Sequence, residues 1–228
     1  MYKMDSILTN EVDEIKVEKS FLIGIKSLQL GSFRNHERLS LEIETGLIAL
    51  VGSNGTGKTS VLEAISNISP GKSLRGANFQ EMVNINYDNF LINIKISEYD
   101  NLESNITIGF DKIQNKKKFL LDDKDISRTK ILKNSIALLW MTPAMERIFN
   151  QAPSARRQFI DRIVLAFDFN HISRISGYDK ILKERSKVLK ESPNESEWLD
   201  SIEESLANYA VVIASSRLDV IERLREFL

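Results

Sequence analysis

Residues 46–59, GLIALVGSNGTGKT, constrain this chain more than any other stretch. A short apolar run stops at a glycine-rich loop, and the pattern G-x-x-x-x-G-K-T fits from Gly52 to Thr59 without a mismatch. The flanks fit as well. Residues 47–51 read as a strand, and Ser60-Val61-Leu62-Glu63-Ala64-Ile65 opens a helical pattern. Strand, glycine loop and helix form the setting in which this pattern holds phosphates. Glycines at 52, 55 and 57 let the backbone turn tightly and approach a polyanion. The backbone of Gly52, Ser53, Asn54, Gly55, Thr56 and Gly57 can then cradle phosphate oxygens, and the helix adds the positive end of its dipole. Lys58 is placed to reach the β- and γ-phosphates, and the Thr59 hydroxyl to ligate Mg²⁺. Binding of a nucleoside triphosphate with Mg²⁺ is the expectation. The alternative is a chance glycine turn in front of a helix.

Composition removes several other classes. At 228 residues the chain suits one large domain or two small ones, and 42% hydrophobic content supports a packed core. There is no cysteine, so neither a disulfide nor a thiolate metal site exists, and His36 and His171 are too few for a histidine metal centre. No apolar run reaches the roughly 18 residues of a membrane span. Asp5, Glu11, Asp13 and Glu14 interrupt any signal-peptide core. These features point to a soluble, cytoplasmic protein with no membrane partner. A net charge of −1 decides nothing about nucleic acid, because a basic patch can sit on a neutral protein.

Periodicity gives the organisation. Residues 1–20 are polar and mixed in charge, and are expected to be a loose extension. Residues 21–30 read as a strand, 31–36 as a polar loop, and 39–43 alternate as a second strand. The helix from Lys58 should run to about Ile68, where Ser69-Pro70-Gly71 stops it. Phe90, Ile92, Ile94 and Ile96, then Ile106, Ile108 and Phe110, then 118–121, predict an antiparallel meander. Residues 136–141 form a further apolar run. After Pro153 the period becomes helical, with Phe159, Ile163 and Phe167 on one face. A second helix is expected over 172–190. Ser192-Pro193-Asn194-Glu195 then starts a third, striped by Trp198, Ile202, Leu206, Tyr209, Ile213, Val220 and Leu224.

Several segments occur in a telling order: Phe33-Arg34-Asn35, the phosphate loop, Gly71-Lys72-Ser73-Leu74-Arg75, Pro153-Ser154-Ala155-Arg156-Arg157 with Asp161, and Tyr178 with Leu182 and Arg185. Together they resemble RecF, a family of bacterial repair ATPases within the SMC-like, ABC-type group. The resemblance covers roughly residues 23–228. It implies an α/β fold: a P-loop, ABC/SMC-type ATPase head lobe with an antiparallel β-meander, over 21–150, and an inserted helical arm over 151–228. It implies ATP and Mg²⁺ as ligands, and binding to single-stranded, gapped and junction DNA. It also implies RecO and RecR mediators as partners in recombinase loading and the SOS response, and an ATP-dependent homodimer. By position, Arg34 and Asn35 match a loop near the nucleotide, so Arg34 is either a phosphate or adenine contact or an ordinary turn arginine. Arg156 and Arg157 are DNA contacts, solvated surface, or ion-pair partners of Asp161. Gln151 and Ala155 depart from the glycine and glutamate more usual in the family.

The family also needs a signature serine-glycine segment and a Walker B strand ending in Asp-Glu, both of which lie after the arm. Three segments imitate them. Residues 163–167 followed by Asp168 have a helical period, with Phe169 where the catalytic acid belongs. Leu120-Leu121-Asp122-Asp123 reads better as a hairpin turn. Ile175-Ser176-Gly177 sits inside an arm-helix pattern. The resemblance therefore implies a chain shortened relative to its family, and hydrolysis by this chain alone stays open. A GTPase would need D-x-x-G and N/T-K-x-D elements, which the sequence lacks. The competing reading is a nucleotide-gated DNA-binding or interaction module. Lys116, Lys117 and Lys118 are candidate DNA contacts, or else one solvated hairpin.

Overall fold

Period-two alternation builds the core. In the computed structural model, which describes residues 24–44, 46–69, 71, 73–97, 102–128, 137–191 and 196–227, the strands are β1 (Gly24–Phe33), β2 (His36–Glu42), β3 (Asn89–Ser97), β4 (Glu103–Asp111), β5 (Lys116–Leu121) and β6 (Lys124–Asp125). They form one antiparallel sheet in the order β2-β1-β3-β4-β5-β6. Register puts the apolar residues of neighbouring strands opposite one another: Leu30 faces Ile92, Leu28 faces Ile94, and on the other side Ile92 faces Ile108 and Ile94 faces Ile106. All of these are at most 2% exposed. Each such side chain contributes about 1.5–3 kcal/mol by leaving water.

Helix α1 (Lys58–Ser66) and the short α2 (Phe79–Met82) cover that face. Val61 and Ala64 of α1, and Phe79 and Met82 of α2, enter the core. Phe79 stacks on Phe110 at 5.8 Å, and Phe90 meets the edge of Phe33 at 5.3 Å. Phe33 is the last residue of β1 and is fully buried. Its anchoring holds the Arg34-Asn35 turn against the start of α1, and this decides the geometry of the site.

The rest of the described chain is helical: a 3-10 segment (Pro143–Asn150), then α3 (Pro153–Phe167), α4 (His171–Glu191) and α5 (Ser196–Arg225). A second apolar cluster, Val188 with Ile202 and Leu206, joins α4 to α5. The expected stripe of α5 is buried at Ile202, Leu206, Ile213 and Val220, but its ends, Trp198 and Leu224, are exposed. Gly177 explains itself here. A Cβ at that position would lie 2.7 Å from the Tyr209 ring, so the glycine lets α4 and α5 approach closely. None of the described helices is long and apolar enough to cross a membrane.

One polar node ties the three helices. Asp161 Oδ1 accepts hydrogen bonds from His171 Nε2 (2.8 Å) and Arg217 Nε (2.7 Å), and its Oδ2 accepts from Arg217 Nη2 (2.9 Å). The carboxylate offered by sequence to Arg156 and Arg157 is therefore held by His171 and Arg217 instead. Burial pushes the Asp161 carboxyl up, but the hydrogen bonds from His171 and Arg217 with their charges outweigh it and hold it below the usual range. A depressed carboxyl stabilises the fold above its unfolded value of about 4 and stops doing so as pH falls through its folded value. Asp161→Asn should lower the unfolding free energy by about 2–3 kcal/mol at pH 7, below the figure for a fully buried pair because the node is partly solvated. Urea titrations at pH 7 and pH 3 should show that difference shrink at acid pH.

One expectation needs correction. Residues 47–51 make no ladder with any described strand, and Leu47 and Val51 are almost fully exposed. A continuous apolar run suits a strand that is paired and covered on both faces, and here neither edge of the sheet, β2 or β6, pairs with it. Residues 137–141 likewise carry no regular structure. The expected extension 1–20, Lys72, Ile136 and the capping segment 192–195 lie outside the described residues.

Candidate nucleotide-binding site

The glycine loop keeps its backbone in conformations that only glycine adopts without strain. Gly55 has φ 87° and Gly57 has φ 92°, and Gly57 caps α1 from the left-handed region. From there the chain enters α1 at Lys58, with Val61 N donating to the Gly57 carbonyl at 3.1 Å. The first amides of a helix have no partner within it, so they are donors available to an anion.

The loop carbonyls are held by side chains. Lys58 Nζ donates to the carbonyls of Gly52 (2.6 Å) and Ser53 (2.7 Å), which keeps the ammonium over the loop. Thr56 Oγ1 donates to the Ser53 carbonyl at 3.0 Å. The turn after β1 braces the other side. Asn35 Nδ2 donates to the Gly55 carbonyl (3.1 Å), Asn35 Oδ1 accepts from Ser60 Oγ (3.1 Å), and His36 Nε2 donates to the Gly57 carbonyl (3.2 Å).

Arg34 completes the brace from below. Its Nε and Nη2 donate to the two oxygens of Glu63 at 2.9 and 2.7 Å, and Nη1 donates to the Glu81 carbonyl at 2.6 Å. Glu63 is fully buried on α1, so this forked pair is a structural tie between the turn and the helix. Arg75 approaches the same carboxylate at 3.5 Å. Arg34 itself sits at φ 55°, a conformation uncommon outside glycine, and its amide is fixed by the Met82 carbonyl at 2.7 Å.

These residues enclose a cleft of 730 Å³ lined by Asn54, Gly55, Gly57, Lys58 and Thr59, together with Arg34, Asn35 and Arg75. Backbone donors at a helix start, a lysine and a threonine hydroxyl fit the phosphates of a nucleotide and one coordination position of Mg²⁺. The structure thus brings the sequence-predicted loop and the Arg34-Asn35 turn into one cleft. His36 and Glu63 were not singled out as site residues by sequence, and Arg75 appeared only within a segment that carries the resemblance. Glu63 lies 29 residues from Arg34, and no local pattern links them.

The candidate DNA residues are elsewhere. Lys116 to Lys118 lie on β5 and are exposed, and alternation puts Lys117 on the face opposite Lys116 and Lys118. Arg156 is half-buried and donates to the Gln151 carbonyl, and Arg157 is exposed. The three imitating segments resolve as expected. Asp122 and Asp123 occupy a β5–β6 hairpin at positive φ, Asp168 ends α3 and pairs with Arg174, and 175–177 lies within α4.

Comparison with known proteins agrees with this geometry. The sequence profile of the AAA domain matches residues 27–226. The DNA replication and repair protein RecF of Rickettsia felis is 34% identical over 204 residues, which is 90% of this chain and 56% of that protein. Two solved structures of the recombination mediator protein RecF in the RecFOR pathway, one with ATP and one with ATPrS, each superpose with a TM-score of 0.80 at 27% identity. They are matched over 91% and 90% of this chain. The chain spans 56% of the length of these relatives. It belongs to the AAA-domain family, and over its matched length it is similar to the RecF proteins.

Proposed function

We propose that this chain binds ATP with Mg²⁺ through residues 52–59 and serves as an ATP-gated DNA replication and recombinational repair factor. The observation that carries the reading is the braced loop: glycines at positive φ, Lys58 over the loop and Thr59 at the start of α1, all facing one cleft. The RecF relatives with ATP support the ligand, and their place in the RecFOR pathway supports DNA and RecO- and RecR-type partners. In the proposal the chain meets single-stranded, gapped and junction DNA, and ATP drives pairing of two copies. The 21–150 and 151–228 lobes divide the work, the first holding nucleotide and the second extending as an arm.

A second reading is favoured by one observation. The three segments that imitate a Walker B strand or a signature lie in a hairpin, at a helix end and inside a helix. A nucleotide-gated DNA-binding module without hydrolysis of its own fits this arrangement.

Calorimetric titration of the purified chain with Mg-ATP tests the shared premise. Saturable binding should weaken at least about 100-fold in Lys58→Ala, about 2.7 kcal/mol. Equal affinity in the two proteins would exclude the loop. Phosphate release at saturating ATP then separates the two readings.

A further inference from the structure

A second polar cavity, of 410 Å³, shares no lining residue with the nucleotide cleft. Its wall includes Arg128, Lys117, Ser73 and Asn67, and among the described residues no carboxylate lines it. Arg128 Nε donates to the Asn67 carbonyl (3.2 Å) and Nη1 to the Gly71 carbonyl (3.0 Å). Its guanidinium lies over Phe79 and Phe119, at 5.7 and 5.9 Å from the ring centroids. Nη2 is buried without a hydrogen-bond partner, and among the described residues no carboxylate pairs with this side chain. Burial pulls the guanidinium down to about 10, still charged at neutral pH. A buried cation without a counter-anion is costly, and an anion at that place would remove the cost.

The neighbouring groups specify which anion. Ser73 Oγ is buried and unpartnered, a further donor. Lys117 Nζ, 4.7 Å from the Phe79 centroid, brings a second positive charge to the wall. Asn67 Nδ2 donates to the Glu63 carbonyl at 2.9 Å, which leaves Oδ1, buried and unpartnered, as an acceptor. Two cations and a hydroxyl suit an oxyanion, and an acceptor beside them suits one that carries its own hydroxyl. Inorganic phosphate near neutral pH has that form, and a phosphate monoester has it in its singly charged state, below a second pKa of about 6. A backbone phosphodiester does not.

We propose that this cavity is a second oxyanion site, built for a phosphate group bearing a hydroxyl and independent of the phosphate loop. The phosphate has two possible sources, the 5′-phosphate end of a nucleic-acid strand or a free phosphate compound. The site stands whether or not residues 52–59 bind nucleotide.

The test uses the Lys58→Ala chain, so that the loop does not contribute. It is titrated with inorganic phosphate, with 5′-phosphorylated oligothymidylate, and with the same oligonucleotide ending in a 5′-hydroxyl. The expected result is one saturable phosphate equivalent, weakened at least about tenfold by Lys117→Ala and by Ser73→Ala. Lys117 is exposed, so its variant should keep the parent's unfolding midpoint. Ser73→Ala removes an unpartnered buried hydroxyl and should not lower it. A Lys117-dependent preference for the 5′-phosphorylated strand over the 5′-hydroxyl strand supports the site and assigns it to strand ends. Lys117-dependent binding of inorganic phosphate without that preference supports the site and assigns it to a free phosphate compound. The absence of saturable phosphate binding, or binding indifferent to both substitutions, overturns the proposal.

Discussion

Arg34→Ala is expected to lower the unfolding free energy by about 3–5 kcal/mol, the usual loss when one partner of a buried pair is removed. Glu63 is fully buried and would keep only Arg75, half-exposed and 3.5 Å away. A domain of this kind has about 5–15 kcal/mol in total, so the variant should unfold at markedly lower urea. The loss should also reach the site, because the turn that carries Arg34 also carries Asn35 and His36, the braces of Gly55 and Gly57. Arg34→Lys keeps the charge but not the two-pronged geometry, and should fall between alanine and wild type. Removing both charges with Arg34→Met and Glu63→Leu should recover most of the stability, since no buried charge is then left alone. A loss below about 1 kcal/mol in the alanine variant would place the pair with ordinary surface ion pairs and contradict the assignment.

Gly57→Ala should have the second large effect, chiefly on nucleotide. At φ 92° any Cβ is strained, and here it would overlap the His36 ring and lie 2.8 Å from Asn35 Nδ2. The overlap is relieved by turning the His36 and Asn35 side chains off the loop, which breaks their braces on Gly57 and Gly55. Mg-ATP affinity should fall at least about 100-fold, and stability by about 2–3 kcal/mol from left-handed strain plus overpacking. Gly55→Ala is the internal control. It has φ 87° but no atom within 4 Å of an added Cβ, so strain acts without a clash and the effect should be smaller. His36→Ala in the Gly57→Ala background should restore part of the loss. Equal effects at positions 55 and 57 would mean that the brace does not matter.

What the sequence could announce was whatever is local. The helix after the glycine loop, the alternation of Ile92-Ile94-Ile96 and Ile106-Ile108, and the change to helical period after Pro153 are each contained in a short window, and all became the elements they suggested. The misreading at 47–51 has a physical cause. An apolar run specifies burial, but whether it becomes a strand depends on partners, and no described strand pairs with it. The ties that shape the site were invisible for a related reason. Arg34 and Glu63 are 29 residues apart, and Asp161 and Arg217 are 56 apart. Such pairs exist only after Phe33 is buried and the arm helices are packed. Arg34 shows this most clearly: its position in the turn was readable, while the partner that fixes its guanidinium was not.

The central claim is that nucleotide phosphates sit on residues 52–59, braced by the turn at 34–36. Amide hydrogen exchange of the chain with and without Mg-ATP measures this directly. The account predicts added protection at 53–60, extending to 34–36, and none of it in Lys58→Ala. Unchanged exchange at 53–60 under saturating Mg-ATP, or protection confined to the arm helices, would contradict it.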